Sequence, residues 1–106
     1  MTGEDLNFEV FDLRNHFMKK SFNLGLVVST RGALATLDPS DVLTALSRHS
    51  RGDWGDVGGA DWTENDMAVE QGERILSSYR DQNGTKFWII TERDRSATTV
   101  LLPDEY

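Results

Sequence analysis

Residues 75–103 read ILSSYRDQNGTKFWIITERDRSATTVLLP, and the fold turns on how this stretch pairs with itself. Three runs rich in β-branched and aromatic residues, Ile75–Arg80, Lys86–Glu92 and Ala97–Leu102, are separated by two polar segments. Such runs between turn signals predict strands. Asn83-Gly84 accepts positive φ readily and predicts a hairpin between the first two. Arg93-Asp94-Arg95-Ser96 is a polar turn before the third. Pro103 has no N–H for a ladder and ends it. The reading is a three-stranded meander. With a two-residue loop, Tyr79 faces Trp88 across the first pair, and Trp88 lies in the central strand.

Upstream, Asp38-Pro39-Ser40-Asp41 is a strong helix start. Asp38 accepts a backbone N–H, Pro39 suits the first helical position, and Asp41 complements the macrodipole. Val42, Leu43, Leu46 and His49 or Ser50 share one face. Arg48, His49 and Arg51 sit near the C-terminus, where a cation is favoured, and Gly52 ends the helix. A second helix is expected over Glu64–Gln71, capped by Thr63 with Asp66. Trp62 and Met67 form a hydrophobic staple, and Gly72 is the stop. Leu24–Ser29 (LGLVVS) reads as a buried strand, and Thr30 caps a short helical turn through Leu37.

The order is therefore β-α-α-β-β-β, an α+β two-layer sandwich with helices on one face of a mainly antiparallel sheet. The first strand's crossover leaves its direction open. Residues 23–106 form a single α+β domain and residues 1–22 an N-terminal arm. In the arm, Leu6, Val10, Leu13 and Phe17 fall at helical spacing, but Phe8, Phe11 and Phe22 lie off that stripe. The arm reads either as a docking segment over the core or a partner subunit, or as a partner-binding helix.

With 106 residues, the chain has room for one core. No segment approaches the roughly 18 apolar residues of a membrane span. Glu4, Asp5, Glu9 and Asp12 are unlike a signal peptide, and a cytoplasmic location is expected. The absence of cysteine excludes disulfides and thiolate chemistry. The net charge of −7 argues against direct nucleic-acid or anionic-membrane binding.

That charge is concentrated. Asp53, Asp56, Asp61, Glu64, Asp66, Glu70 and Glu73 fall in a window without Lys or Arg, and the other 11 acids are matched by 11 bases. On the expected helix Asp66, Glu70 and Glu73 line one face at i, i+4, i+7. The acids near the helix start suit the dipole, whereas Glu70 and Glu73 do not. Blocks of like charge often mark interaction surfaces. The expected partner-binding residues are Asp61, Glu64, Asp66, Glu70 and Glu73, with Trp54 or Trp62 as an apolar anchor. Their partner would be a basic surface of a larger nucleic-acid-handling protein.

Chemistry-bearing motifs are sparse. His16 and His49 form no metal-ligand spacing, the glycines at 52–59 lack a phosphate-loop ending, and no Gly-x-Ser-x-Gly elbow occurs. No cofactor or metal is expected. Arg48–Gly55 (RHSRGDWG) is the most distinctive segment. It reads either as a pocket built from a basic helix end and an indole, or as a helix cap with Trp54 on the sheet and Asp53 paired with Arg51. Arg93 and Arg95 either hold an anion or border a solvated turn.

Leu24–Leu34 (LGLVVSTRGAL), Arg48–Gly55, Gly72–Tyr79 (GERILSSY) and Trp88–Tyr106 (WIITERDRSATTVLLPDEY) resemble a family of short proteins encoded in bacterial and mobile-element genomes. The resemblance implies a plasmid or phage setting and names no catalytic residue. In that setting small acidic proteins include inhibitors of CRISPR and restriction systems that mimic nucleic-acid charge. The element order is also similar to RelE/barnase-like ribonucleases, although those are basic. The expected function is a non-enzymatic acidic binding protein, an inhibitor of this anti-CRISPR or anti-restriction kind. The alternative is a small ribonuclease with His49 as acid or base and Arg93 or Arg95 as phosphate clamps.

Overall fold

The computed structural model describes residues 22–106. The arm expected over residues 1–22 lies outside the described residues except for Phe22. The elements are β1 (Leu26–Ser29), α1 (Arg31–Thr36), α2 (Pro39–Ser50), α3 (Gly59–Gln71), β2 (Ile75–Arg80), β3 (Lys86–Thr91) and β4 (Ala97–Leu101), followed by a 3₁₀ turn at Pro103–Glu105. They form an α+β fold with helices packed on a four-stranded mixed sheet of order β1-β4-β3-β2. The meander is antiparallel, whereas β1 joins β4 in parallel.

Local chemistry explains the α2 start. The Asp38 carboxylate accepts from the Ser40 and Asp41 N–H groups at 2.9 and 3.3 Å, and Pro39 fills the first helical turn. Thr30 caps α1 by accepting from Ala33 N–H. Along the sheet, Ile75, Ser77 and Tyr79 share the helix-facing side with Phe87, Ile89, Thr91, Thr98 and Val100. Ala33, Leu37 and Ala45 close one core over Tyr79, Phe87, Ile89 and Val100. Trp54, Ala68 and Ile75 form a second, with Phe22, Val57, Trp62 and Val69 around it.

Five expectations are corrected. β1 is an edge strand exposed along its length, with Leu26 69 % accessible, because only β4 pairs with it among the described residues. Leu43 is exposed, since α2 turns Val42, Ala45, Leu46 and His49 inward instead. α3 starts at Gly59 after the Gly58 cap, so Thr63 lies inside the helix and its hydroxyl donates to Gly59 C=O. The hairpin loop spans residues 81–85, not two residues. Asp81 holds it wide by accepting from Asn83 and Thr85 N–H at 3.0 and 2.9 Å. Tyr79 therefore faces Phe87, with rings 5.8 Å apart, and Trp88 turns to the opposite side of the sheet.

On that side Trp88 is half-buried. Its ring meets Tyr106 edge-on at 5.7 Å, and the Arg74 guanidinium donates to the Tyr106 hydroxyl at 2.6 Å. Glu105 secures the C-terminus by accepting from Gly32 and Leu102 N–H. No helix among the described residues is long and apolar enough to cross a membrane.

Candidate functional site

The acidic window divides into paired and unpaired charges once folded. Asp53 accepts two bonds from Arg48, at 2.7 and 3.1 Å, and the Arg48 guanidinium also lies 4.9 Å above the Tyr79 ring. The Arg48 bond holds the Asp53 carboxyl below its usual range, and burial opposes this only in part. Asp56 lies 3.9 Å from Arg80 and Glu73 lies 3.4 Å from Arg93. The expected Arg51–Asp53 pair is thus replaced by Arg48–Asp53, one turn deeper in α2.

Asp66 points inward and accepts from the Trp54 indole N–H at 2.9 Å. Trp54 is completely buried, so it presents no anchor to a partner. Trp62 is half-buried against the same cluster. Burial of Trp54 corrects its expected role as an apolar anchor, whereas Trp62 keeps part of its ring at the surface. The size of an indole makes it the natural filler of a small core, which competes with any role at the surface.

Asp61, Glu64 and Glu70 remain exposed on α3, and no ion pair reaches them among the described residues. Helical geometry, at 100° per residue, sets Glu64 and Glu70 on either side of Met67. Met67 is 50 % exposed and is the apolar group this face offers. Glu73 does not extend the row, because Gly72 ends α3 in a left-handed conformation. The expected i, i+4, i+7 stripe is therefore broken at its last member.

What fixes α3 is polar. The Asn65 side-chain amide donates to Leu76 C=O at 2.8 Å and accepts from Leu76 N–H at 3.3 Å. It completes the outer edge of β2 as a neighbouring strand would. Arg95 adds to this, donating to the carbonyls of Ala68, Glu73 and Glu92. It therefore closes the C-terminal end of α3 instead of holding an external anion.

His49 is fully buried, which corrects its expected role as a helix-end cation. Its Nδ1 meets Ser77 Oγ at 2.5 Å and its Nε2 meets Thr91 Oγ1 at 2.8 Å. Thr91 Oγ1 in turn lies 2.7 Å from Thr98 Oγ1, which donates to Leu24 C=O. Each hydroxyl has one proton, so this chain has one consistent direction. Thr98 spends its proton on the carbonyl, Thr91 donates to Thr98, Nε2–H donates to Thr91, and Ser77 donates to Nδ1. The imidazole is thus the neutral Nε2–H tautomer. Burial, and secondarily the Arg95 charge, lower its pKa to about 3.

Of the two expected phosphate clamps, Arg95 is used as above and Arg93 is drawn to Glu73, and the neighbouring arginines are paired as well. Arg74 lies 3.9 Å from Glu92, and Arg80 and Arg93 face the acids named above. No group of three or more metal-ligating side chains converges among the described residues. The inward hydroxyls escaped the sequence reading, although their signal was present. Ser77, Thr91 and Thr98 each alternate with large apolar residues at core-facing positions of their strands.

No family model, curated protein or solved structure matches the chain. The functional reading therefore rests on the geometry above.

Proposed function

We propose that this protein is a non-enzymatic binding module that presents the exposed face of α3 to a basic protein surface. The observation that carries this reading is the row Glu64, Met67 and Glu70. Two carboxylates flank a half-exposed thioether on one helix whose N-terminal turn adds Asp61. Carboxylates at this spacing attract a Lys/Arg-lined groove, and Met is a side chain favoured in interface cores. A groove that normally holds phosphates is the fitting partner, so the module would compete with nucleic acid for a nucleic-acid-handling protein in the cytoplasm. The narrower reading, an inhibitor of a CRISPR or restriction system carried by a mobile element, rests on the resemblance of residues 24–106 alone. The ribonuclease alternative is disfavoured because its acid–base candidate, His49, has no exposed surface.

The test begins with affinity capture from host lysate and identification of the bound protein by mass spectrometry. The captured protein is then titrated with the unmodified chain and with Glu64→Lys/Glu70→Lys. The proposal expects a basic partner whose nucleic acid competes for binding and whose affinity for the variant drops at least tenfold. Equal affinity for a folded variant would reject α3 as the contact surface.

A further inference from the structure

The two edges of the sheet are treated differently. At β2, Asn65 occupies the Leu76 N–H and C=O, Ser78 N–H donates to Trp54 C=O, and Asp56 N–H donates to Ser78 C=O. At β1 nothing among the described residues plays this part. Leu26 N–H donates to Ser96 C=O and Thr30 N–H to Val100 C=O. Strand alternation then turns the N–H and C=O groups of Val27 and Ser29 outward. Exposed edges are normally blunted by charge, proline or a bulge. Leu-Val-Val-Ser carries none of these.

This edge is also the apolar side of the molecule. Of seven exposed large apolar side chains among the described residues, Leu26, Val27, Val28, Leu34 and Leu43 belong to it. Ser29, Leu34, Leu37, Val42 and Leu43 line one continuous groove that begins at the end of β1. Charge follows the same division. Between Asn23 and Leu37 only Arg31 is charged, whereas the acidic α3 flanks β2 at the far edge.

We propose that β1 pairs antiparallel with β1 of a second copy, centred on Val27, joining two sheets into one. Parity limits the possible registers, and apolar contact favours this one. Antiparallel neighbours lie on the same side of a sheet, so a two-fold pair must join residues of like parity; Leu26 then meets Val28 of the second copy. Centring on Val27 makes its outward N–H and C=O a hydrogen-bonded pair across the axis, whereas centring on Val28 would set Leu26 opposite Thr30 and lose the apolar contact. Leu26 and Val28 of both copies then form one apolar cluster, and the groove beyond Ser29 lies along the seam. The uncharged edge brings two acidic chains together with their acidic helices at opposite ends, which limits repulsion between them.

The test is sedimentation equilibrium of the full chain from about 5 to about 500 μM, with amide exchange at both ends of the range. The expected result is a monomer–dimer equilibrium that added salt strengthens, because screening relieves repulsion between like-charged copies. Val27→Lys should weaken association at least tenfold, and the β-branched Val27→Thr should retain it within about threefold. The Val27 and Ser29 amides should be protected only at high concentration. If Val27→Lys fails to fold, exchange in the unmodified chain decides. A monomer at every concentration, or dimerisation indifferent to Val27→Lys, would overturn the proposal. So would edge amides protected at every concentration, which would mean that another segment of this chain already covers β1.

Discussion

His49 shows how a single residue links the core to pH. The folded imidazole titrates at about 3, against an ordinary 6.5 in the unfolded chain. Between those values the unfolded state binds a proton that the folded state refuses. Stability is thus fully present above pH 6.5 and falls as pH drops, by at most about 1.4 kcal/mol per unit. Asp38 and Asp53, held below their usual range chiefly by Ser40 and Arg48, act in the same direction only around and below pH 4. Urea unfolding between pH 6.5 and 4.5 therefore isolates the histidine. The unmodified protein should lose about 2 kcal/mol more than His49→Gln over that range, and parallel pH profiles would contradict the buried neutral ring. Trp54 and Trp88 separate by burial in the same assay. Trp54→Ala should cost about 3–5 kcal/mol, and Trp88→Ala, half-buried on the open side, less than about 2 kcal/mol. Equal losses would place Trp88 in the core.

At the scale of elements, what the sequence disclosed depended on how locally each feature is determined. Asp38-Pro39 carries its own cap, so the start of α2 was legible. The strand runs were legible for the same reason, since β-branched and aromatic residues cluster between turns. The hairpin register was not, because Asp81 ties residues 81–85 together and also accepts from Asp38 N–H, 43 positions away. The start of α3 was hidden by Gly58-Gly59-Ala60, which propensity reads as loop until the helix is fixed to β2 through Asn65. The acidic window was visible, but the pairing of Asp53, Asp56 and Glu73 with Arg48, Arg80 and Arg93, which leaves Asp61, Glu64 and Glu70 exposed, depends on tertiary structure. Asp81→Ala should consequently cost about 2 kcal/mol by leaving loop amides without acceptors, measured by urea unfolding. Two glycines test the turns. Both Gly55 and Gly84 have positive φ, but a Cβ at Gly55 would lie 2.1 Å from Ser78 O, whereas at Gly84 it meets nothing within 4 Å. Gly84→Ala should cost about 1 kcal/mol, and Gly55→Ala clearly more, since only the latter also displaces the β2 edge. Similar losses would show that Gly55 is not clamped against the strand.

For the whole molecule, the layout is a polarity between edges: apolar and nearly uncharged at β1, acidic beside β2. The two proposed associations respond to salt in opposite directions, since self-pairing gains from screening and capture of a basic partner loses. Each of Glu64→Lys and Glu70→Lys changes the charge by two units, so the double variant moves the chain from −7 to −3. Both side chains are exposed and unpaired among the described residues, so the fold should tolerate the change. The most direct measurement is the association rate with the captured basic partner, for the unmodified chain and the double variant, from about 0.05 to 0.5 M salt. Over that range the Debye length contracts from more than 10 Å to a few Å. The account predicts a rate that falls steeply with salt for the unmodified chain, and a lower rate with a shallower slope for the variant. Identical rates and identical salt slopes for the two proteins would contradict it.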